Sequence, residues 1–256
     1  MSAFMSAFAS LVGALADALH PLFQNASTAA AIVLFTALVR LAVHPLSRAA
    51  ARGQKAQRRL QPQIAELRKK HKKNPERMQK ALMELHKEEK VSPLSGCLPS
   101  LLQMPAFFLL YHLFSSTRIG DEANALLGHQ LFGAPLGERW RDALADGGMF
   151  GAQGLVYVGL FVIVAAVATF NYGRTKRQMA ANPVTPATGP DGQPVPGMGA
   201  MTKVMPLMSF FTLFTVAFVP LAAALYVVTS TTWTAIERAY LYRDMPAAGA
   251  AMATAA

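Results

Sequence analysis

Charged residues and cysteine are both scarce in this sequence. Charged side chains make up 15% of its 256 residues and hydrophobic ones 53%, whereas charged residues form about 25% of an average soluble domain. The single cysteine, Cys97, excludes an intrachain disulfide and a zinc site built from several cysteines. Residues 1–24 contain no lysine or arginine, so we expect neither a signal peptide nor a transit peptide there. A composition this apolar predicts a polytopic membrane protein.

The sequence motifs of common enzymes are missing as well. No G-x-S-x-G nucleophile elbow, P-loop, H-E-x-x-H zinc motif or glycine-rich dinucleotide fingerprint occurs. His86, Glu88 and Glu89 lie together on a basic stretch, where such a trio is normally part of a solvated surface. We therefore expect no catalytic residue, no metal site, no cofactor and no enzymatic activity.

Basic residues are concentrated in one segment. Of the 24 lysines and arginines, 14 lie between Arg48 and Lys90, and the formal net charge is +10. Their position beside a hydrophobic run favours the cytoplasmic side and anionic lipids, rather than nucleic acid as the primary ligand. Two apolar stripes at helical spacing are separated by Asn74 and Pro75, which are typical of an N-cap and a first helical residue. The segment therefore predicts an antiparallel helical hairpin in the cytoplasm.

An arginine lies inside the first long apolar run. Residues Thr28 to Leu46 are nearly all apolar and match the roughly 20 residues that cross a bilayer core. Arg40 lies past the middle of this run, where a charge costs about 2.5–3.5 kcal/mol on insertion scales. Such a residue almost always faces a bundle interior or a water-filled cavity, so we expect the other spans to form the walls of that cavity.

The remaining apolar runs define the topology. The run from Val204 to Ile236 would measure about 50 Å as one helix, so Pro220 near its middle predicts two short spans. The chain is therefore expected to be all-α, with five transmembrane helices around a hydrophilic groove. Basic connections place the N-terminus outside and the C-terminus in the cytoplasm. The expected segments are 1–26, an amphipathic interfacial helix outside; 27–47, the first span; 48–95, the cytoplasmic hairpin; 96–115, the second span, interrupted by Pro99 and Pro105; 116–153, an irregular external loop; 154–173, the third span; 174–203, a flexible cytoplasmic loop; 204–219 and 220–238, the fourth and fifth spans; and 239–256, a short cytoplasmic tail.

Polar side chains recur inside these apolar runs. Thr36 lies one helical turn before Arg40, Gln103 lies in the second run, Asn171 ends the third, and hydroxyl residues occupy 229–232. Taken singly, each hydroxyl is more typical of a contact between helices than of a ligand site. The apolar runs contain no acidic residue, so water, lipid phosphate, backbone carbonyls or an acidic group of a client remain as partners for Arg40. Together these residues predict a hydrated groove.

Three blocks carry a resemblance to a known family. They are LVRLAVHPL, LQPQIAELRKKHKKNPERMQKALMELHKEEKVSPLSGCLPSLLQMPAFFLLY and MPLMSFFTLFTVAFVPLAAALYVVTS. In this order, over about residues 25–240, the chain resembles the YidC/Oxa family of membrane protein insertases. Arg40 and Thr36 match the family's functional arginine and its companion. The other matches are Pro99, Gln103, Met104, Pro105 and Phe107 in the second span, and Met205, Pro206, Leu225 and Tyr226 in the final hairpin. Val227 and Thr231 depart from the aromatic and the asparagine expected at their positions.

The resemblance implies an insertase and chaperone in the bacterial plasma membrane. It implies that nascent membrane proteins are its clients and that the groove opens to the cytoplasm and to lipid. The Sec translocon and the ribosome are further implied partners. The expected client-binding residues are Arg40, Thr36, Gln103, Phe107, Asn171, Tyr226 and Ser230, and the expected structural residues are Pro99, Met104, Pro105, Pro206 and Pro220. Two alternatives stay open from the residues: a small-anion transporter or channel that uses Arg40 as its binding site, and a scaffold whose basic hairpin recruits a partner.

Overall fold

The computed structural model describes residues 2–71, 74–89, 98–119, 122–181 and 204–243, which are mostly helical. The helices, numbered in chain order, are α1 (Ser2–Phe23), α2 (Ser27–Arg59), α3 (Gln61–Lys70), α4 (Pro75–Glu88), α5 (Leu98–Ser115), α6 (Trp140–Ala145), α7 (Ala152–Ala181), α8 (Phe211–Phe218) and α9 (Leu221–Leu241). Short 3₁₀ segments cover Gln24–Ala26, Ala125–Gly128 and Met205–Phe210. Four strands of two residues each complete the described secondary structure.

The chain divides into two compact units. One comprises Met1–Ala42, Gln103–Phe170 and Ser209–Glu237, and the other comprises Val43–Leu102, Asn171–Met208 and Arg238–Ala256. Among the described residues, two helical stretches are long and apolar enough to cross a membrane, namely Ser6–Gln57 and Ala152–Arg177. A shorter apolar helix covers Pro206–Phe218. Five spans therefore stay a prediction.

The first-span helix is longer than the apolar run that predicts it. The apolar run ends at Leu46, and α2 continues to Arg59 with Pro45 inside it. Proline removes one backbone donor and crowds the carbonyl four residues earlier. The turns on either side keep their hydrogen bonds, so one proline does not end this helix. The apolar run and the helix therefore end at different residues.

The apolar residues of α1 are divided between a buried face and an exposed one. Leu11 and Leu22 are exposed, and the predicted interfacial position of this helix stays a prediction. The residues that α1 buries are Phe8, Val12 and Ala16, which are spaced four apart and so share one face. The ring of Phe8 meets that of Phe35 edge to face, at 5.4 Å between centroids. Packing against α2 decides which face is buried, and a wheel of α1 alone does not contain that information.

In the second unit, α3 and α4 pack against each other over a small apolar cluster. Leu60 and Ile64 are buried there, with Leu82 and Leu85 partly buried against them. The helix start predicted at Asn74 is present, because the Asn74 side chain accepts a hydrogen bond from the backbone N–H of Arg77. The contacts join the beginning of α3 to the latter half of α4, and the cytoplasmic hairpin stays a prediction.

The loop after α5 contains strands that the sequence does not predict. Arg118–Ile119 (β1) pairs with Glu122–Ala123 (β2), and Gln130–Leu131 (β3) pairs with Ala134–Pro135 (β4), both antiparallel. Asn124, which is buried, donates its amide to the carbonyls of Leu113 and Ser116 and accepts a bond from the N–H of Leu126. This side chain ties the loop to the end of α5, whose last carbonyls lack partners within the helix.

The predicted break at Pro220 is present. α8 ends at Phe218, Val219 is extended, and α9 begins at Leu221. The first backbone donors of α9 bond to the loop between α5 and α6: Leu221 N–H to the carbonyl of Glu138 at 2.8 Å, and Ala222 N–H to that of Leu136 at 3.0 Å. The loop therefore caps α9 with backbone oxygens. Most of the residues from 219 to 230 are buried, so the start of α9 lies in the core of the first unit.

The prolines of the second span do not interrupt its helix. Pro105 lies inside α5, and Pro99 lies in its first turn, where the missing donor would be unpaired in any case. Gly96 and Cys97, which begin the predicted span, lie outside the described residues. α5 therefore continues from Leu98 to Ser115 with Pro105 inside it.

Candidate functional site around Arg40

In the described part of the chain, the guanidinium of Arg40 bonds to Ser230 of α9. Its Nε donates to the hydroxyl of Ser230 at 3.1 Å, and an Nη donates to the Ser230 carbonyl at 2.8 Å and also to the hydroxyl. Arg40 is half-buried, and Ser230 is buried. Because Ser230 is neutral, this pairing fixes the orientation of the guanidinium without neutralising its charge. Hydrogen bonds to a charged group stabilise a structure by about 1.5–3 kcal/mol each.

Thr36 lies on the same helix, one turn before Arg40, and is fully buried. Its hydroxyl donates to the carbonyl of Ile32 at 2.7 Å, within its own helix. A threonine that satisfies itself in this way packs as a small, nearly apolar residue. Its predicted role as a direct ligand of a client stays untested, and its geometry favours a packing role beside Arg40.

An aromatic contact joins α5 to α9 near Ser230. The ring centroids of Phe107 and Tyr226 are 6.0 Å apart, and Phe107 stacks on Tyr111 at 5.9 Å. Tyr226 lies one turn before Ser230 on α9, so the same helix carries the arginine partner and the aromatic contact. Tyr226 is only 2% exposed, whereas Phe107 is half-buried. Six of the seven predicted client-binding residues therefore belong to the first unit: Thr36, Arg40, Gln103, Phe107, Tyr226 and Ser230.

Two residues of α5 are more exposed than Phe107 and Tyr226, the aromatic residues predicted for the site. Phe108 is 56% exposed and Met104 is 48% exposed. The resemblance places Met104 among the structural residues, and its exposure is not that of a core side chain. Phe108 was not predicted as a site residue. Sequence does not reveal its exposure, because Phe107 and Phe108 are identical in type and their burial depends on how α5 is rotated.

Several predicted site residues are not joined to this cluster by the described contacts. Gln103 and Pro99 lie on α5, but their side chains lie outside the described residues. Asn171 is half-buried on α7 and belongs to the second unit, as does the buried Pro206. Pro220 is buried at the break between α8 and α9. The groove that these residues are predicted to line stays a prediction.

The other hydroxyls of α9 are mostly used within the helix. Thr231 donates to the carbonyls of Val227 and Val228, and Thr234 donates to that of Ser230. The hydroxyl oxygen of Thr232 is buried and has no hydrogen-bond partner among the described residues. Of this polar set, Ser230 is the one whose described bonds include a cation from another helix.

Comparison with known proteins identifies the family. A sequence model of the family described as 60Kd inner membrane protein matches residues 18–248. The chain belongs to the YidC/Oxa family. The match covers every described residue of the Arg40 site, and the family's members include proteins named membrane protein insertase YidC.

Three relatives show how far the YidC similarity extends. Membrane protein insertase YidC of Streptomyces avermitilis is 28% identical over 228 residues, which is 85% of this chain and 52% of that protein. The YidC of Clostridium perfringens is 44% identical over 84 residues, 33% of this chain and 35% of that one. The YidC of Chlorobium phaeovibrioides is 42% identical over 100 residues, 39% and 17% of the two chains. The chain spans about half or less of the length of these curated relatives.

Proposed function

We propose that this chain is a membrane protein insertase and chaperone. Its clients are nascent membrane proteins, whose transmembrane segments pass from a hydrophilic groove open to the cytoplasm into lipid. Membership of the YidC/Oxa family supports this reading, as do the relatives named membrane protein insertase. The transfer of apolar surface from water into the bilayer drives insertion. The proposed process makes and breaks no covalent bond.

The observation that carries the proposal is the pairing of Arg40 with Ser230. A half-buried guanidinium on a membrane-spanning helix is costly and is normally kept for a function. Ser230 holds this one in a fixed orientation through its hydroxyl and its carbonyl. An acidic leading segment of a client is drawn to such a cation, which shortens the path of that segment through hydrocarbon.

The proposal includes a topology and further partners. The five spans would place the N-terminus outside and the C-terminus in the cytoplasm of a bacterial plasma membrane. The basic hairpin of α3 and α4 would then contact anionic lipids and the ribosome, and the Sec translocon would be a further partner for longer clients. The concentration of basic residues between Arg48 and Lys90 supports the cytoplasmic placement.

Insertion into proteoliposomes tests the role of Arg40. The matched pair of substrates is a single-span client with an acidic leading segment and the same client with those acids changed to amides. We expect Arg40→Ala to reduce insertion of the acidic client about tenfold, equivalent to roughly 1.4 kcal/mol, and to leave the neutral client nearly unchanged. Arg40→Lys should retain part of the activity, because lysine keeps the charge but cannot reproduce the planar donor arrangement. Equal insertion of the acidic client by the wild type and Arg40→Ala would overturn the mechanism.

The same vesicles separate insertion from anion transport. If Arg40 served a small inorganic anion, chloride or phosphate flux would depend on it in the absence of any client. We expect no Arg40-dependent flux. A flux that disappears in Arg40→Ala, together with unchanged insertion, would favour the transporter instead.

A further inference from the structure

An apolar groove in the first unit shares no lining residue with the Arg40 site. Its walls come from the end of α1, from Ala26, from the part of α2 between Ala29 and Ala37, from the tip of the β3–β4 hairpin and from Leu225 of α9. It encloses about 510 Å³, which lies within the range of roughly 300–1,000 Å³ found for ligand pockets.

The chemistry of the walls restricts what the groove can hold. Every lining side chain is apolar, among them Leu19, Phe23, Val33 and Leu34. An extended peptide placed there would bury backbone amides without partners, at a cost of at least about 1–3 kcal/mol each. An isolated α-helix needs a channel about 10–12 Å wide for its side chains. A hydrocarbon chain has no hydrogen bonds to satisfy, so it fits walls of this kind.

The groove continues into a surface that faces hydrocarbon. Val33 and Leu34 belong both to the groove and to the exposed apolar surface of α2, which extends along the helix to Leu38 and Leu41. This helix is one of the two described stretches long and apolar enough to cross a membrane, and the family is one of membrane proteins. Acyl chains of the bilayer therefore have direct access to the groove from the side.

A strained aromatic residue forms one wall. Phe132 has a backbone φ of 49°, and Gly133 has a φ of 85°, so the β3–β4 turn is left-handed at both central positions. Such turns prefer asparagine, aspartate or glycine, and a left-handed backbone costs a residue with a Cβ about 1–2 kcal/mol. The Phe132 ring is nevertheless 78% exposed and gains little from burial within the chain. A large apolar side chain kept at a cost, beside an apolar groove, indicates that the ring contacts something other than this chain.

We propose that the groove binds one acyl chain of a membrane phospholipid, with the Phe132 ring packed against it. The site would hold this lipid in place beside α1 and α2, distinct from bulk lipid that exchanges freely along other faces. The proposal does not rest on insertase activity.

Photocrosslinking with a lipid probe tests the site. The full chain is reconstituted into phosphatidylcholine–phosphatidylglycerol vesicles that contain a trace of phosphatidylcholine with a diazirine in one acyl chain, and adducts are mapped by mass spectrometry after illumination. The internal control is the exposed face of α7 around Val162 and Ile163, which is also apolar. We expect adducts per residue to be at least fivefold more frequent on the groove walls than on that face. Equal adduct frequencies on the groove walls and on the α7 face would overturn the proposal, and this comparison needs only the wild-type protein.

Two variants sharpen the result. Ala30→Phe places a ring in the groove and should reduce groove adducts at least threefold, whereas Ala166→Phe, on the exposed surface of α7, should leave them unchanged. Phe132→Asn keeps a residue suited to the left-handed turn but removes the aromatic wall, so groove adducts should fall while the fold is retained. If both variants keep wild-type adduct levels, the groove does not bind an acyl chain and the proposal is overturned.

Discussion

Arg40 and Ser230 are joined through both oxygen atoms of the serine, its hydroxyl and its backbone carbonyl. Removal of the hydroxyl therefore leaves one acceptor in place. We expect Ser230→Ala to lower insertion of an acidic client by less than Arg40→Ala does, about threefold to fivefold, because the bonds from Nε and Nη to the hydroxyl are lost while the bond to the carbonyl remains. Insertion in proteoliposomes measures the effect.

The matched control for this prediction is Thr231→Ala. The Thr231 hydroxyl bonds to carbonyls of its own helix, so its removal should leave insertion within about twofold of the wild type. A larger loss in Thr231→Ala than in Ser230→Ala would contradict the assignment of Ser230 as the residue that orients Arg40.

The exposed fractions of the aromatic side chains of α5 and α9 predict which of them a client contacts more often. Phe108 is 56% exposed and Tyr226 is 2% exposed. A photoreactive amino acid at position 108 should therefore give several times more adduct with a stalled nascent membrane protein than one at position 226. Position 162 on α7 is the control, since Val162 is also exposed but is not a predicted site residue. More adduct at 226 than at 108 would show that the client-bound protein opens the contact between Phe107 and Tyr226.

Tyr157 bonds to one of the backbone carbonyls that cap the start of α9. Its hydroxyl donates to the carbonyl of Glu138 at 2.7 Å, the same oxygen that accepts from Leu221. Tyr157→Phe removes this bond and should lower the free energy of unfolding by about 1 kcal/mol, visible as a lower melting temperature in detergent. The control is Tyr240→Phe, because the Tyr240 ring is 66% exposed. Equal melting temperatures for wild type and Tyr157→Phe would mean that water replaces the lost donor.

The raised pKa of Glu138 makes the free energy of unfolding depend on pH. Burial, and next the neighbouring carboxylates of Asp142 and Asp146, raise the pKa of Glu138 above its usual 4.5. A carboxyl with a raised pKa in the folded state favours folding below its unfolded pKa, and this contribution is lost as pH rises through the folded pKa. We therefore expect Glu138→Gln to melt at a higher temperature than the wild type at pH 7, and the difference to disappear near pH 4. Glu88→Gln, which changes an exposed carboxylate of α4, is the control and should show no such pH-dependent gain. A Glu138→Gln protein less stable than the wild type at pH 7 would contradict the sign.

Local signals in the sequence predicted local features well. Asn74 and Pro75 mark the start of α4, and Pro220 marks the break before α9, because caps and prolines act through bonds within a few residues. Prolines are less informative inside a helix, since α2 continues past Pro45 and α5 past Pro105. A proline signals a lost bond, but whether the helix continues depends on the turns beside it.

Contacts between residues that are far apart in the chain could not be predicted from the sequence. Ser230 is one of four consecutive hydroxyl residues, and only the rotation of α9 against α2 selects it as the partner of Arg40. The burial of Tyr226 and the exposure of Phe108 have the same origin. The type of Asn124 does not distinguish it from other loop residues, but its amide donates to two carbonyls at the end of α5 and accepts from Leu126 in the loop. Side-chain type gives the candidates, and tertiary packing chooses among them.

The cap of α9 has a consequence for how this protein tolerates evolutionary change. Since the acceptors are main-chain oxygens of Leu136 and Glu138, the side chain at position 138 is free to drift without uncapping the helix. A deletion or insertion of a single residue between the two would instead shift both oxygens out of register. Homologous loops that keep the spacing of these positions while varying residue 138 are therefore compatible with the same helix start.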